Sequence, residues 1–143
     1  LALAHVSGSP VFVLNGDTYL DVDYAAMSAA HAAHAVGLSL AIAQVPDVGR
    51  YGSLLIEDDR IRAFLEKGSH GPGCINAGVY LVDAAVLAGI LAGAPYSFEQ
   101  ELMVPGVDTI RPLAFRTDGL FIDIGVPEDY ERAQGLFGAM ARQ

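Results

Sequence analysis

The sequence predicts one α/β domain built on a mixed, mostly parallel sheet with flanking helices. Two observations carry this prediction. Short apolar runs typical of buried strands alternate with helical patterns early in the chain, and a hairpin pattern interrupts that alternation midway. A length of 143 residues suits a single domain with a real core, so we treat residues 1–143 as one unit.

The first part of the chain supplies two strands and a helix. "VFVL" (11–14) predicts a strand buried on both faces, which ends at a polar turn of residues 15–17. Asp21 and Asp23 provide N-cap chemistry for a helix of about three turns. "GLSLAIAQV" (37–45) predicts a second buried strand, which Pro46 closes.

The middle of the chain predicts a hairpin, a loop and another strand. "SLLIE" and "IRAFLE" are separated by Asp58-Asp59-Arg60, which favours a tight turn between two paired strands. Residues 68–73 contain three glycines and one proline and predict a loop. "INAGVYLV" (75–82) is typical of a strand, and "DAAVLAGIL" predicts a short helix.

The last part of the chain predicts two helices and two strands. In "SFEQELM", Ser97 and Gln100 have the spacing of a capping box. "IRPLAF" and "LFIDIG" predict the last two strands, and Pro127 stands at the first position of a closing helix.

Composition excludes several classes of protein. With 52% apolar residues the chain is not disordered, and a net charge of −9 argues against a nucleic-acid groove. The single cysteine, Cys74, excludes an intrachain disulfide framework and fits a cytoplasmic location. Asp83 interrupts the longest apolar stretch (77–94), so we expect neither a membrane span nor a membrane partner. The sequence leaves open whether copies associate into a homo-oligomer.

Two aspartates follow predicted strands, where ligands gather in open α/β sheets. Asp17 follows "VFVLNG" and Asp123 lies in "GLFIDIGVP", each beside a glycine, Gly16 or Gly125, that permits close approach of a ligand. Two carboxylates on rigid strand ends would suit Mg²⁺, which prefers a few carboxylates together with phosphate oxygens. Each aspartate taken alone is more consistent with an ordinary turn or loop residue.

Further candidate residues lie at the end of the hairpin and in the strand that follows. Lys67, the only lysine, follows Glu66 beside the glycine-rich loop, and a compact ammonium on a flexible stem suits a phosphate. Asn76 has the donors and the acceptor that sugar hydroxyls need, and Gly78 in mid-strand indicates a close approach to the backbone. Gly52 is a glycine whose amide could meet a ligand.

These segments occur in a familiar order. "VLNGDTYLDVD", "RYGSLLIEDDRIRAFLEKG", "GCINAGVYLVD", "YSFEQELM" and "GLFIDIGVPEDYERAQ" together resemble the sugar-1-phosphate nucleotidyltransferase family, which has a Rossmann-like fold. Within it the chain is most similar to D-glycero-D-manno-heptose-1-phosphate guanylyltransferases, and mannose-1-phosphate guanylyltransferases come second. The resemblance covers nearly the whole chain.

The resemblance implies a role for each matched residue. Asp17 and Asp123 would bind Mg²⁺, and Lys67 would contact the sugar phosphate. The remaining matched residues would line the sugar pocket, with Glu66 on hydroxyl groups; they are Gly16, Gly52, Glu66, Asn76 and Gly78. The implied reaction joins a sugar 1-phosphate to a nucleoside triphosphate, with GTP expected, and releases pyrophosphate. The product is a nucleotide-sugar for cell-surface polysaccharides such as lipopolysaccharide.

One part of the family pattern has no counterpart in this sequence. The family's Gly-rich nucleotide-binding loop is missing, and the chain opens without Met, so it matches the C-terminal portion of the family's domain. We therefore expect that the 143 residues alone do not catalyse the reaction and that "VFVL" forms an exposed sheet edge.

Two other functions remain as alternatives. A metal-dependent glycosyltransferase would use the motif Asp21-Val22-Asp23, and a non-catalytic module would bind a sugar phosphate without turnover. The first alternative requires the acidic motif directly at a strand end, a position that Asp17 holds here. The second leaves the paired carboxylates Asp17 and Asp123 without a purpose.

Overall fold

A computed structural model describes residues 5, 7–88, 90 and 95–140. Eight strands and four α-helices lie in this part of the chain. The strands are β1 (Val11–Leu14), β2 (Thr18–Leu20), β3 (Leu38–Val45), β4 (Ser53–Glu57), β5 (Arg60–Leu65), β6 (Gly73–Val82), β7 (Leu113–Thr117) and β8 (Phe121–Asp123). The helices are α1 (Tyr24–Ala33), α2 (Ala84–Leu87), α3 (Val104–Ile110) and α4 (Pro127–Met140), and a π-helical segment covers Phe98–Met103.

Six strands form one mixed sheet in the order β1-β6-β3-β7-β5-β4. The predicted α/β class and mixed sheet are confirmed, but the prediction of a mostly parallel sheet is wrong. Among the neighbouring pairs of described strands only β3 and β7 run parallel. Apolar runs such as β3 and β6 reflect burial on both faces of the sheet, and this burial does not depend on strand direction.

Alternating side chains of the central strands pack into two hydrophobic cores, one on each face of the sheet. Leu38, Leu40 and Ile42 of β3 point to one face, and Ala41 and Ala43 point to the other. The strand β1 differs from the prediction of a strand buried on both faces, because its residues are half-buried and Leu14 is 52% exposed. In the described part of the chain β1 is an edge of the sheet, as expected from the sequence.

Local sequence signals account for several of the elements. Asp23 caps α1, where its carboxylate accepts a hydrogen bond from the Ala26 amide at 2.9 Å. The predicted hairpin is β4–β5, and both turn residues, Asp58 and Asp59, have positive φ as a two-residue type I′ turn requires. The predicted short helix is reduced to α2, and the last residues of its pattern lie partly outside the described residues.

The capping box at Ser97 forms with a different partner from the one predicted. The Ser97 hydroxyl accepts a hydrogen bond from the Gln100 amide at 3.2 Å, as the spacing indicates. The reciprocal bond goes from the Ser97 amide to the carboxylate of Glu101 at 2.8 Å. The segment that follows is π-helical, a form found frequently at functional sites.

A two-stranded ribbon lies beside the main sheet and was not fully predicted. The three-residue strand β2 pairs antiparallel with β8, so that Thr18 lies opposite Asp123. The turn that leads into β2 packs against Gly78 of β6, and the Asn15 amide donates a hydrogen bond to the Gly78 carbonyl at 2.8 Å. The ribbon therefore depends on the packing of this turn against the sheet.

Gly78 provides the space for that turn. Its φ is +76°, and a Cβ at this position would lie 2.6 Å from Thr18 Oγ1 and 2.8 Å from Asn15 Nδ2. The close approach that the sequence indicated at Gly78 is therefore made by the side chains of Asn15, in the turn before β2, and of Thr18, the first residue of β2. A side chain at Gly78 would be strained and would also force these two side chains to shift.

We expect Gly78→Ala to lower the free energy of unfolding by about 1–3 kcal/mol, the cost of holding a non-glycine residue in the left-handed region. The matched control is Gly135→Ala in α4, where a Cβ has no neighbour within 4 Å. This control should be neutral or gain up to about 1 kcal/mol. Urea unfolding of the three proteins measures both effects, and equal stability of Gly78→Ala and the parent would contradict the packing role of Gly78.

Candidate functional site

A cavity of about 380 Å³ lies between the β2–β8 ribbon, β6 and the π-helical segment. Four of the residues singled out from the sequence line it, namely Asp17, Lys67, Asn76 and Asp123. They come from distant parts of the chain, and the fold brings them together. Tyr80, Phe98, Glu99 and Arg50 also line the cavity, and none of these was selected from the sequence.

The pairing of β2 with β8 brings the two aspartates together. Asp17 directly precedes β2 and Asp123 ends β8. The Ile124 amide donates a hydrogen bond to the Asp17 carbonyl at 3.0 Å, which joins the backbone beside both residues. The carboxylates are thus supplied by a backbone-bonded ribbon at one wall of the cavity.

The local contacts of Asp123 leave room for a ligand. Its Oδ1 accepts a hydrogen bond from the Gly125 amide at 2.8 Å, and its Oδ2 lies 4.0 Å from a guanidinium nitrogen of Arg50. Among the described residues no group of three or more His, Cys, Asp or Glu side chains is placed to hold a metal ion. Two carboxylates beside an open cavity nevertheless fit Mg²⁺, because this ion keeps waters and phosphate oxygens in most of its coordination positions.

Asn76 lines the cavity, and its side-chain amide is bonded to other groups of the protein. Its Nδ2 donates hydrogen bonds to Tyr80 Oη at 2.9 Å and to Glu99 Oε2 at 3.0 Å. Its Oδ1 accepts a hydrogen bond from the Gly78 amide at 3.1 Å. Both amide hydrogens are therefore used inside the protein, and the expected contact of Asn76 with sugar hydroxyls stays a prediction.

Tyr80 and Glu99 are the groups that Asn76 orients. Burial of the Tyr80 ring raises the pKa of its phenol to about 12, against the opposing effect of the hydrogen bond from Asn76, and the charge of Glu99 adds to the increase. The phenol therefore stays protonated and keeps a hydrogen to donate. The Glu99 carboxylate accepts, so the cavity wall combines a fixed donor with a fixed acceptor.

Glu99 could not be selected from its sequence motif, because "SFEQELM" indicated only a helix start. The first two residues of the π-helical segment, Phe98 and Glu99, carry an aromatic ring and a carboxylate, and both line the cavity. Their placement depends on the π-helical winding, which the sequence does not reveal.

Glu66 and Lys67 follow the end of β5, and both are exposed. Lys67 lines the cavity, whereas Glu66 lies outside the lining. The assignment of Glu66 to sugar hydroxyls therefore stays a prediction.

Gly16 is exposed, and a Cβ there would meet nothing within 4 Å, so close packing within the protein does not require glycine at this position.

Gly52 lies where the backbone passes close to the end of β5. The Gly52 amide donates a hydrogen bond to the Val48 carbonyl at 3.0 Å, and the expected contact of Gly52 with a sugar stays a prediction. Its φ is +79°, and a Cβ would lie 2.7 Å from the Leu65 carbonyl oxygen and 3.8 Å from Lys67 Cγ. Glycine at this position lets the backbone pass close to the end of β5 and to Lys67.

Asp47 joins the two loops that present Lys67 and Arg50. Its Oδ1 accepts hydrogen bonds from the amides of Gly49 at 3.0 Å and Gly71 at 3.1 Å, and its Oδ2 lies 3.2 Å from His70 Nδ1. The bond from Gly49, followed by those from His70 and Gly71, holds the pKa of Asp47 below its usual value. Both loops are therefore tied to one carboxylate.

Arg50 is a cation at the mouth of the cavity that the sequence did not single out. One guanidinium nitrogen lies 2.6 Å from Asp129 Oδ2, and the other lies 4.0 Å from Asp123 Oδ2. The guanidinium also lies over the Tyr51 ring at 5.3 Å. The hydrogen bond to Asp129 raises the pKa of Arg50 and lowers that of Asp129.

The motif Asp21-Val22-Asp23 has structural roles. Asp23 caps α1, Val22 is buried in the core, and the Asp21 carbonyl accepts a hydrogen bond from the Thr117 hydroxyl at 3.1 Å. None of the three lines the cavity. These contacts disfavour the glycosyltransferase alternative, which required this motif as its metal site.

None of the described helices combines the length and the apolar character needed to cross a membrane.

Comparisons with a family model and with known proteins indicate one and the same family. A family model described as nucleotidyl transferase matches residues 1–136. The chain is 37% identical over 124 residues to a D-glycero-alpha-D-manno-heptose 1-phosphate guanylyltransferase of Aneurinibacillus thermoaerophilus, a match that covers 87% of this chain and 54% of the relative. It is 35% identical over 127 residues to a probable mannose-1-phosphate guanylyltransferase of Arabidopsis thaliana, covering 87% of this chain and 35% of that protein.

A solved structure agrees with these relatives. The crystal structure of HddC from Yersinia pseudotuberculosis superposes with a TM-score of 0.82 at 36% identity, covering 95% of this chain and 59% of that one. The same protein has been solved in complex with GMP-PN. The chain spans about half the length of the heptose 1-phosphate guanylyltransferases that it matches.

The buried phenol of Tyr80 predicts a loss of stability in alkali. Its pKa rises from 10.0 to about 12 on folding, so the stabilisation is complete below pH 10 and is lost as the pH rises towards 12. A shift of this size corresponds to about 2–3 kcal/mol. We expect Tyr80→Phe to lack this part of the alkaline loss when urea unfolding is followed across the window.

The control is Tyr130→Phe, which removes a phenol that is 51% exposed and should retain the parent's pH dependence. An alkaline loss in Tyr80→Phe as large as that of the parent would show that the Tyr80 phenol does not titrate as described.

Proposed function

The chain belongs to the nucleotidyl transferase family, and from that premise we propose that it forms the sugar-phosphate side of a guanylyltransferase. The proposed enzyme joins a heptose or mannose 1-phosphate to GTP and releases pyrophosphate. The observation that carries the proposal is the convergence of Asp17, Lys67 and Asp123 on one cavity. Two carboxylates that could hold a divalent cation, together with an ammonium, suit a reaction between two phosphorylated substrates, because the cation and the ammonium would offset the phosphate charge.

The relatives support the choice of substrates. Proteins named as heptose 1-phosphate and mannose-1-phosphate guanylyltransferases match most of this chain. The structure of HddC in complex with GMP-PN supports a guanine nucleotide as the second substrate. Since this chain spans about half of such relatives, the activity is proposed for the full-length protein.

In the proposed reaction an oxygen of the sugar 1-phosphate attacks the α-phosphorus of GTP. The new bond joins this oxygen to the α-phosphorus, and the bond from the α-phosphorus to the bridging oxygen breaks, so pyrophosphate leaves with the electron pair. The protein needs no covalent nucleophile. It has to hold two polyanions in line and to offset their charge.

Each side chain of the cavity has one part in this proposal. Asp17 and Asp123 would hold Mg²⁺, which when bound supplies positive charge beside the phosphates. Lys67 would bind the sugar phosphate and so reduce the repulsion between the two substrates. Glu99 and the Tyr80 phenol would accept from and donate to sugar hydroxyls, while Asn76 orients both of them.

The non-catalytic alternative is less well supported. A module that only binds a sugar phosphate has a use for Lys67 and Glu99, but it has none for a pair of carboxylates facing the same cavity. Unpaired carboxylates near a phosphate would in fact weaken binding by like-charge repulsion.

The proposal further includes a cytoplasmic location, where GTP is available, and a product used for cell-surface polysaccharides such as lipopolysaccharide.

The test of the function is a substrate screen with the full-length protein in Mg²⁺ buffer. Each nucleoside triphosphate is combined with heptose, mannose and glucose 1-phosphates, and pyrophosphate release and nucleotide-sugar formation are both measured. We expect GTP with the heptose or mannose substrate to give the highest kcat/KM. Sugar 1-phosphate binding without any pyrophosphate release would favour the non-catalytic module instead.

Lys67→Ala should weaken the binding of the sugar 1-phosphate about ten- to a hundredfold, because a charge-assisted hydrogen bond contributes about 1.5–3 kcal/mol. GTP binding should change little. Titration calorimetry with each substrate measures the two affinities separately. Arg116→Ala is the matched control, since it removes one positive charge from a residue that is outside the lining of the cavity. A loss of GTP affinity with unchanged sugar 1-phosphate affinity would contradict the role given to Lys67.

A further inference from the structure

Arg50 lies between two carboxylates that have different surroundings. Its shorter contact, 2.6 Å, is with Asp129 in the first turn of α4, and its longer contact, 4.0 Å, is with Asp123 Oδ2 at the cavity. The Arg50 side chain is 48% exposed, whereas the side chain of Asp129 is 13% exposed. The Arg50 side chain is thus half-exposed to solvent, whereas the Asp129 carboxylate is mostly buried.

The longer contact involves the oxygen of Asp123 that the protein backbone leaves available. Oδ1 already accepts the hydrogen bond from the Gly125 amide, so Oδ2 is the oxygen with more capacity left for a metal ion. A guanidinium at 4.0 Å from that oxygen stabilises the carboxylate when no metal is bound. The same positive charge repels a divalent cation that approaches Asp123. Arg50 and a metal ion therefore compete for one oxygen.

Asp129 is the carboxylate that Arg50 contacts more closely. The pairing at 2.6 Å partly offsets the charge of the guanidinium, whose other nitrogen stays 4.0 Å from Asp123 Oδ2. Asp129 also contacts Arg132 at 3.2 Å, which helps to hold its carboxylate in place. The contact with Asp129 therefore opposes a closer approach of Arg50 to Asp123.

We propose that Arg50 is a positioning residue that sets the affinity of the Asp17–Asp123 pair for a divalent cation, and that Asp129 holds Arg50 away so that the cation can bind. This inference rests on the metal site of the proposed function. It goes beyond that site because Asp129 and Arg50 influence the metal without binding it. The ligand class is a hard divalent cation with oxygen ligands.

The test uses Mn²⁺ as the probe, with the full-length protein and no nucleotide or sugar present. Free Mn²⁺ is followed by electron paramagnetic resonance, so the readout does not depend on activity. We expect Arg50→Gln to tighten Mn²⁺ binding about threefold or more, because a nearby positive charge is removed. Asp129→Asn should weaken binding by a similar factor, because Arg50 then pairs with Asp123.

The double variant Arg50→Gln/Asp129→Asn separates this mechanism from a simple change in net charge. If Asp129 acts by holding Arg50, the double variant binds Mn²⁺ as tightly as Arg50→Gln alone. If Asp129→Asn weakens binding equally when Arg50 is absent, the proposal is wrong. Arg132→Gln is the matched control, since it removes the same charge from the other arginine that contacts Asp129, and an equal tightening there would also overturn the proposal.

A further variant distinguishes failure of this inference from failure of the metal site. Asp123→Asn should lose Mn²⁺ binding if the site is the proposed one. If Asp123→Asn binds Mn²⁺ like the parent, or if the parent shows no binding in the millimolar range, the metal site itself is refuted. If Asp123→Asn loses binding while Arg50→Gln binds like the parent, only the role of Arg50 is refuted.

Discussion

The candidate site depends on one steric constraint, the lack of a side chain at Gly78. A Cβ there would lie 2.6 Å from Thr18 Oγ1 and 2.8 Å from Asn15 Nδ2, so glycine accommodates the side chains of these two residues against the sheet. Thr18 begins β2, which pairs with β8, and this ribbon brings Asp17 beside Asp123. The Gly78 amide also binds Asn76 Oδ1, which helps to orient Tyr80 and Glu99. A single backbone position thus supports both walls of the cavity.

The second feature that shapes the site is its balance of charge. The chain carries a net charge of −9, and three carboxylates, Asp17, Glu99 and Asp123, face one cavity. Lys67 and Arg50 are the cations among the residues that line it. Two phosphorylated substrates would add more negative charge than these two side chains can offset. A bound divalent cation would resolve this imbalance and would reverse the local sign of the charge.

The sequence predicted the local elements better than their arrangement. The cap at Asp23, the β4–β5 hairpin and the site residues Asp17, Lys67 and Asp123 follow from short-range chemistry or from a motif order, and the structure brings those three residues together. Strand direction did not follow, because apolar runs report burial alone. Glu99 and Arg50 were missed because their placement at the cavity depends on a π-helical turn and on a partner in α4. The hydrogen bond from Asn76 to Glu99 joins residues that are 23 positions apart, which no local pattern reveals.

The central claim is that Asp17 and Asp123 act together as one metal-binding unit. The most direct measurement is kcat for nucleotide-sugar formation by the full-length protein as Asp17→Asn, as Asp123→Asn and as the double variant. If both hold one ion, losing either ligand removes most of its effect, so the double variant should be no slower than the slower single variant. Losses that multiply in the double variant would mean that the two carboxylates act independently, which would contradict the claim.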